Sequence, residues 1–243
     1  MRYPYVLLDL DHTLFDTDTS LKLAFADAMA AVGVEADGHY PCFDEINREH
    51  WRAVERSEMT PDEVHVRRFR RLIAALGIGG DGGGRGTAAR GAADDAEVMS
   101  EAFAQGLGAH GELYEGARDV LDQLAGRAAL GLVTNGLREV QRARLERLDL
   151  ERYFDAVVIS AEVGVAKPNP AIFELAFAGL GRPALDASLM VGDSLTSDIA
   201  GGNGYGVATC WYNPNRVSTP RGDAAATYEI AELRDLVGIA TGR

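Results

Sequence analysis

Two rhythms of apolar and polar positions run along this chain, and the change between them divides it. From Glu115 onward, short apolar runs alternate with stretches of helical spacing. "ARDVLDQLA" (117–125) has apolar positions three and four residues apart, which predicts a helix, and "AALGLVTN" (128–135) predicts a strand that ends in polar residues. "LREVQRARLERL" (137–148) predicts a helix with an arginine-rich outer face, and "AVVIS" (156–160) a strand. In "NPAIFELAFAGLG" (169–181), Asn169 stands as N-cap, Pro170 at the first helical position and Gly181 as terminator. "SLMVGD" (188–193) and "VATCWY" (207–212) predict further strands around a short glycine-rich helix in "SDIAGGNGYG". Strands alternating with helices predict an α/β fold with a parallel, doubly wound sheet, whose ligand site lies beyond the carboxyl ends of the strands.

Residues 17 to 114 follow only the helical rhythm. "TSLKLAFADAMAAVG", "FDEINREHWRAVER", "PDEVHVRRFRRLIAALG" and "DDAEVMSEAFAQGL" predict helices with no strand between them. The alternation resumes afterwards as though uninterrupted. The expected organisation is therefore a sheet core from 1–16 and 115–243, with an all-helical subdomain, 17–114, inserted after the first strand. Within it, "GIGGDGGGRGTAARG" (77–91) has eight glycines in fifteen residues and reads as a flexible connection. It does not read as a phosphate loop, because no apolar strand leads in and no G-K-[ST] ends it.

The first strand poses a chemical question. In "YVLLDLDHTLFD" (5–16) the apolar run Tyr5–Leu8 has no polar face, as in a strand covered on both sides, yet it leads directly into Asp9 and Asp11. Buried carboxylates at such a position cost several kcal/mol, on the order of a full desolvation penalty, unless something cationic meets them.

Composition narrows the answer. A formal net charge of −13 disfavours a nucleic-acid polymer as partner, since phosphate backbones are bound by basic surfaces, but leaves room for a small phosphorylated ligand. No run is long and apolar enough for a membrane span, and the first apolar run meets Asp9 too early for a signal-peptide core. Two distant cysteines, Cys42 and Cys210, imply no disulfide framework, and the reading is of a cytoplasmic protein. Of 24 basic residues only Lys22 and Lys167 are lysines, and Lys167 lies in "GVAKPNP", where a compact ammonium is retained against an arginine-rich background.

Four pieces then fall on one edge of the predicted sheet: Asp9-Leu10-Asp11-His12-Thr13, Thr134-Asn135-Gly136, Lys167-Pro168, and Gly192-Asp193-Ser194 with Asp198. Together they suit phosphoryl transfer. Asp9 and Asp193 can hold a hard cation such as Mg²⁺, Asp9 can attack phosphorus, and Asp11, kept protonated by its crowded site, can serve as acid and then base. Thr134 and the backbone N–H groups after it can cradle phosphate oxygens, with Lys167 adding a point charge.

These pieces, in this order, resemble the motifs of the haloacid dehalogenase-like (HAD) hydrolase superfamily across nearly the whole chain. The resemblance implies a Rossmann-like core, a helical cap inserted after the first motif, an aspartyl-phosphate intermediate and Mg²⁺. It makes Asp9 nucleophile and metal ligand, Asp11 acid/base and metal ligand through its carbonyl, and Asp193 a metal ligand. Thr134, Asn135 and Lys167 fall on phosphate-binding positions, and Asp198 supports the metal site or Lys167.

Dehalogenases of the superfamily lack the aspartate two residues after the nucleophile, so Asp11 points to a phosphatase. His12 stands where sugar-phosphate mutases and phosphoglycolate phosphatases carry glycine. "TNGLREVQRARLERLDLERYFDAVVISAEVGVAKPNPAIFELA" (134–176) and "VGDSLTSDIAGGNGYGVATCWYNP" (191–214) resemble the house-cleaning pyrimidine nucleoside 5′-monophosphatase group, as does the spacing of Trp51, Thr60, Arg68 and Phe69. The expected partner is thus a small phosphorylated metabolite, a pyrimidine nucleotide, for a monomer or dimer. N-acylneuraminate-9-phosphatase and phosphoglycolate or sugar phosphatases are the alternatives, and a catalytically idle phosphate-ligand-binding relative is the alternative of another class. His12 and Phe15, beside the carboxylates, are the candidates to touch substrate. Trp51 and Phe69 read as packing of the helical insertion, and His50 and His65 as solvated helix residues.

Overall fold

The computed structural model describes residues 1–78, 91–218 and 224–243. The glycine-rich connection read at 77–91 lies outside the described residues except for Gly77, Ile78 and Gly91. The chain divides into two compact units, residues 1–17 with 111–243, and residues 18–110. In chain order the elements are β1 (Tyr5–Leu8), α1 (Thr17–Ala31), α2 (Tyr40–Glu55), α3 (Pro61–Leu76), α4 (Ala92–Ala109), α5 (Ala117–Leu124) and β2 (Ala129–Thr134). There follow α6 (Arg138–Arg147), β3 (Ala156–Ile159), α7 (Ser160–Val163), α8 (Pro170–Gly179), β4 (Ser188–Gly192), α9 (Ala200–Tyr205), β5 (Ala208–Tyr212), β6 (Tyr228–Ile230) and α10 (Asp235–Thr241).

The six strands among the described residues join one parallel sheet in the order β3-β2-β1-β4-β5-β6. The chain winds outward in both directions from β1, so the strand order reverses there, and β1 and β4 lie side by side with Leu8 opposite Val191. Val6, Leu7 and Leu8 are fully buried because the sheet is covered on both faces. Val6 and Leu8 pack in one layer with Val120, Leu121 and Leu124 of α5 and Leu236 of α10. Leu7 and Met190 pack in the other with Ile172, Phe173 and Phe177 of α8. Burying such side chains contributes about 1.5–3 kcal/mol each, which fixes the register and therefore where the strands end. At the start of α8 the Asn169 side chain accepts from the Ala171 N–H, and Gly181 follows the helix with a left-handed φ of 78°.

Three elements are missing from the sequence reading: helix α7 of four residues, the edge strand β6 of three and helix α10 of seven, each too short for its apolar pattern to register.

Among the described residues of the unit 18–110 the regular elements are all helices, joined by turns such as 32–39 and 56–60. Its core is an aromatic cluster in which Phe43 stacks on Phe25 and Phe69 and meets Phe103 edge-on, with ring centroids 4.9 to 5.5 Å apart. Thr60 and Glu63 close a reciprocal capping box at the start of α3. Phe69 is therefore packing, as read, while Trp51 is half-buried. Of the two histidines read as solvated, His50 is buried and donates from Nδ1 to the Ile46 carbonyl at 2.7 Å, while His65 is half-buried and its Nε2 donates to the Ser100 carbonyl at 3.1 Å. An apolar count along a helix misses such residues because a backbone carbonyl can satisfy a buried ring nitrogen. No helix among the described residues is long and apolar enough to cross a membrane.

Candidate active site

Asp9 follows β1 directly and is tied to the next strand by its own N–H, which donates to the Val191 carbonyl at 3.0 Å. Its two carboxylate oxygens have different partners. Lys167 Nζ donates to Oδ1 at 2.5 Å, and the Thr13 hydroxyl lies 3.3 Å from Oδ2. Thr13 also accepts from the Asp193 N–H at 3.1 Å and has Asp193 Oδ1 at 3.4 Å, so one hydroxyl bridges the ends of β1 and β4. The sequence reading quoted Thr13 without giving it a role; its position four residues after Asp9 was the available signal.

Asp198 reaches the same place through an unusual turn. Residues Leu195–Ile199 form a wide helical turn in which the Ile199 N–H donates to the Ser194 carbonyl five residues back. Asp198 Oδ2 accepts from the Ser194 N–H at 3.0 Å, and a β-carbon added to Gly192 would collide with this carboxylate. Lys167, only 1% exposed, donates to the Val133 carbonyl at 2.7 Å and lies 2.7 Å from Asp198 Oδ1. Carboxylate oxygens of Asp9, Asp193 and Asp198 all lie within 4.8 Å of one another.

Three carboxylates against one ammonium leave two negative charges uncompensated in a buried place. Burial, more than any other cause, pushes the Asp9 carboxyl well above its usual range; Lys167 opposes this, and Asp198, Asp193 and Asp11 add to it. Asp193 is pushed up to about 8, by burial first and by Asp198 next, against the pull of Lys167. Burial alone would lower Lys167, but Asp198 and Asp9 outweigh it and raise it. Hard oxygen donors with an excess of negative charge fit a magnesium ion held by Asp9 and Asp193.

Asp11 corrects the sequence reading. The sequence predicts that a crowded site keeps it protonated, and burial does push it that way, but Arg144, Gln141, His12 and Thr17 together bring its carboxyl below the usual range. Arg144 Nη1 lies 2.6 Å from Oδ1, the Thr17 hydroxyl donates to Oδ1 at 2.8 Å, and Gln141 Nε2 donates to Oδ2 at 2.5 Å. Arg144 is 2% exposed, so the outer face read for α6 holds for Arg138, Arg142 and Arg147 and not for it. Its guanidinium stacks over Phe15, 4.3 Å from the ring centroid. Phe15 is fully buried in the core and supports Arg144; it is not presented to a ligand. His12 is half-buried with a left-handed φ of 59°, and its N–H donates to the Phe15 carbonyl, which turns the chain after Asp11.

The second piece is also rearranged. Both polar atoms of the Asn135 side chain bond the backbone of Lys167, accepting from its N–H at 2.8 Å and donating to its carbonyl at 3.0 Å. Asn135 thus holds the lysine loop in place. The Gly136 N–H is already given to the Ser160 hydroxyl at 3.0 Å and is not available to cradle an anion. The Thr134 hydroxyl, by contrast, is buried at the end of β2 with no partner among the described residues, next to Val133, whose carbonyl bonds Lys167. A buried hydroxyl left without a partner at this position fits an oxygen-rich ligand.

This geometry has relatives. The family model described as haloacid dehalogenase-like hydrolase matches residues 3–206. The chain belongs to the haloacid dehalogenase-like hydrolases. As an enzyme of that family, it is 32% identical over 97% of both chains to the pyrimidine 5′-nucleotidase YjjG of Escherichia coli. It is 31% identical to the pyrimidine 5′-nucleotidase PynA of Streptococcus pneumoniae, over 98% of this chain and 94% of that one. Its fold matches the crystal structure of the HAD-hydrolase YfnB of Bacillus subtilis bound to magnesium, with a TM-score of 0.84 and 29% identity over 99% of each chain.

Proposed function

We propose that this HAD-family enzyme is a magnesium-dependent phosphatase acting on small phosphomonoesters, above all pyrimidine nucleoside 5′-monophosphates, through a phosphoryl group carried on Asp9. The observation that carries the chemistry is the set of buried Asp9 and Asp198 with half-buried Asp193 around Lys167, beside the Thr134 hydroxyl that has no partner among the described residues. When bound, magnesium neutralises charge that would repel an anionic nucleophile from an anionic ester. Asp9 attacks phosphorus and the ester P–O bond breaks. Asp11 gives its proton to the leaving oxygen; water then attacks phosphorus, returns a proton to Asp11 and frees Asp9. Asp11 is ionised in the free site, so the proton it gives is taken up from solvent once the substrate's negative charge beside the carboxylate raises its pKa. Thr134 donates to a non-transferred oxygen, and Lys167 orients Asp9.

These residues act on the phosphoryl group alone, so discrimination is assigned to the helical unit acting as a cap. Likeness to two pyrimidine nucleotidases over nearly the full chain supports a pyrimidine base as the leaving group's mark. Phosphate release across pyrimidine and purine nucleotides, phosphoglycolate, sugar phosphates and sialic acid 9-phosphate tests this. The highest kcat/KM is expected on UMP, dUMP or dTMP, with activity lost on chelation. A large margin in favour of phosphoglycolate or sialic acid 9-phosphate would overturn the substrate and leave the chemistry.

Metal uptake should carry a proton signature. Folded Asp193 keeps a proton up to about pH 8 that the unfolded chain releases near its ordinary value of about 3.9. Without metal, raising the pH between those values therefore lowers stability, because the folded state holds more protons. Magnesium displaces the proton, so its affinity should rise from pH 6 to pH 8. Calorimetry in two buffers of different ionisation enthalpy should record proton release; an affinity independent of pH would contradict this reading.

A further inference from the structure

Gln141 and Arg144 stand three residues apart on α6, on the same face, and both are buried. Neither belongs to the four sheet-edge pieces that the chemistry uses, yet together they contact both carboxylate oxygens of Asp11. Arg144 rests on the Phe15 ring, and Gln141 packs so close to Gly136 that it occupies space a side chain there would take, its own Oε1 buried without a hydrogen-bond partner among the described residues. Burying a guanidinium and an amide has a desolvation cost, and it is recovered only while the partner carboxylate stays in one geometry.

The geometry points to Gln141 and Arg144 as positioning residues for Asp11, a buried two-donor clamp that sets the orientation from which this carboxyl serves the leaving group. The inference rests on the acid/base role proposed for Asp11. Arg144 supplies one charged donor, Nη1, on Oδ1 and Gln141 a second donor on Oδ2, so rotation of the carboxyl plane is restricted from both sides. The Thr17 hydroxyl, also on Oδ1, cannot by itself prevent that rotation, since it shares an oxygen with Arg144.

The test compares Gln141→Leu, Arg144→Met, Arg144→Lys and Asp11→Asn on two substrates. One is para-nitrophenyl phosphate, whose leaving oxygen needs no proton; the other is a nucleoside 5′-monophosphate, whose alkoxide does. Misplacing a catalytic group by about 1 Å costs on the order of 10²-fold, so Gln141→Leu and Arg144→Met should lower kcat on the nucleotide by about 10- to 100-fold. KM should be unchanged and the aryl phosphate far less affected, with Arg144→Lys recovering part of the loss. Adding Gln141→Leu to Asp11→Asn should cost nothing further, because the clamp acts through Asp11. Gln141→Leu alone suffices if Arg144→Met does not fold. Equal losses on both substrates, or an additive loss in the double variant, would overturn the clamp. If Asp11→Asn discriminates between the substrates and the clamp variants do not, this inference fails alone. If Asp11→Asn does not discriminate, the acid/base reading fails and takes the clamp with it.

Discussion

Asp9→Asn is expected to remove turnover by on the order of 10⁴–10⁶-fold, the scale seen when a nucleophile is deleted, while leaving the fold intact or more stable. The activity loss follows from chemistry: an amide nitrogen or oxygen neither attacks phosphorus usefully nor ligates magnesium well. The stability gain follows from electrostatics. The Asp9 carboxyl is held above its usual range by burial and three neighbouring acids, so its ionised form is a burden on the folded state at any pH above the unfolded value. A neutral amide removes that burden, and Lys167 retains Asp198. Thermal unfolding without metal at pH 8 should therefore give Asp9→Asn a Tm equal to or above that of the parent. A lower Tm would mean that the bond from Lys167 matters more to the fold than the charge it compensates.

Lys167→Met is expected to damage both function and fold. Among the described residues Lys167 is the cation paired with Asp9 and Asp198, and its Nζ also donates to the Val133 carbonyl at the end of β2. Removing one partner of a buried ion pair costs about 3–5 kcal/mol when the remaining charge stays uncompensated. The remaining carboxyls can escape part of that cost by taking up protons, since Asp9 and Asp193 already sit above their usual values. The destabilisation should accordingly be larger at pH 8 than at pH 5, and magnesium should restore part of it. Urea unfolding at the two pH values checks this; a loss independent of pH would show that the lysine acts through packing rather than charge.

The elements that could be read from the sequence are those whose cause is local. An unbroken apolar run such as Tyr5–Leu8 has one physical solution in a covered sheet, and the polar residues after it must fall at the strand's carboxyl end. Asn169 starts α8 by accepting from the Ala171 N–H two residues on, and Pro170 by its fixed φ at the first helical position. Residues whose role depends on distant partners read differently. Arg144 looks like one more solvated arginine of α6, because its partner Asp11 lies 133 residues away. That same separation makes Asp11 look crowded by acids when it is in fact met by cation and amide. Phe15, beside the carboxylates in sequence, turns inward beneath Arg144. Asn135 was legible as a member of the site, but its two bonds to the Lys167 backbone depend on a loop 32 residues on.

The most direct measurement of the central claim is the state of Asp9 during turnover. Enzyme in excess over a nucleoside 5′-monophosphate, with magnesium, is quenched in acid within a single turnover, digested and analysed by mass spectrometry. The account predicts one phosphoryl group on the peptide that carries Asp9, appearing before free phosphate and absent in Asp9→Asn. Phosphate released at the full rate with no phosphorylated protein at any time, or from Asp9→Asn as fast as from the parent, would contradict it.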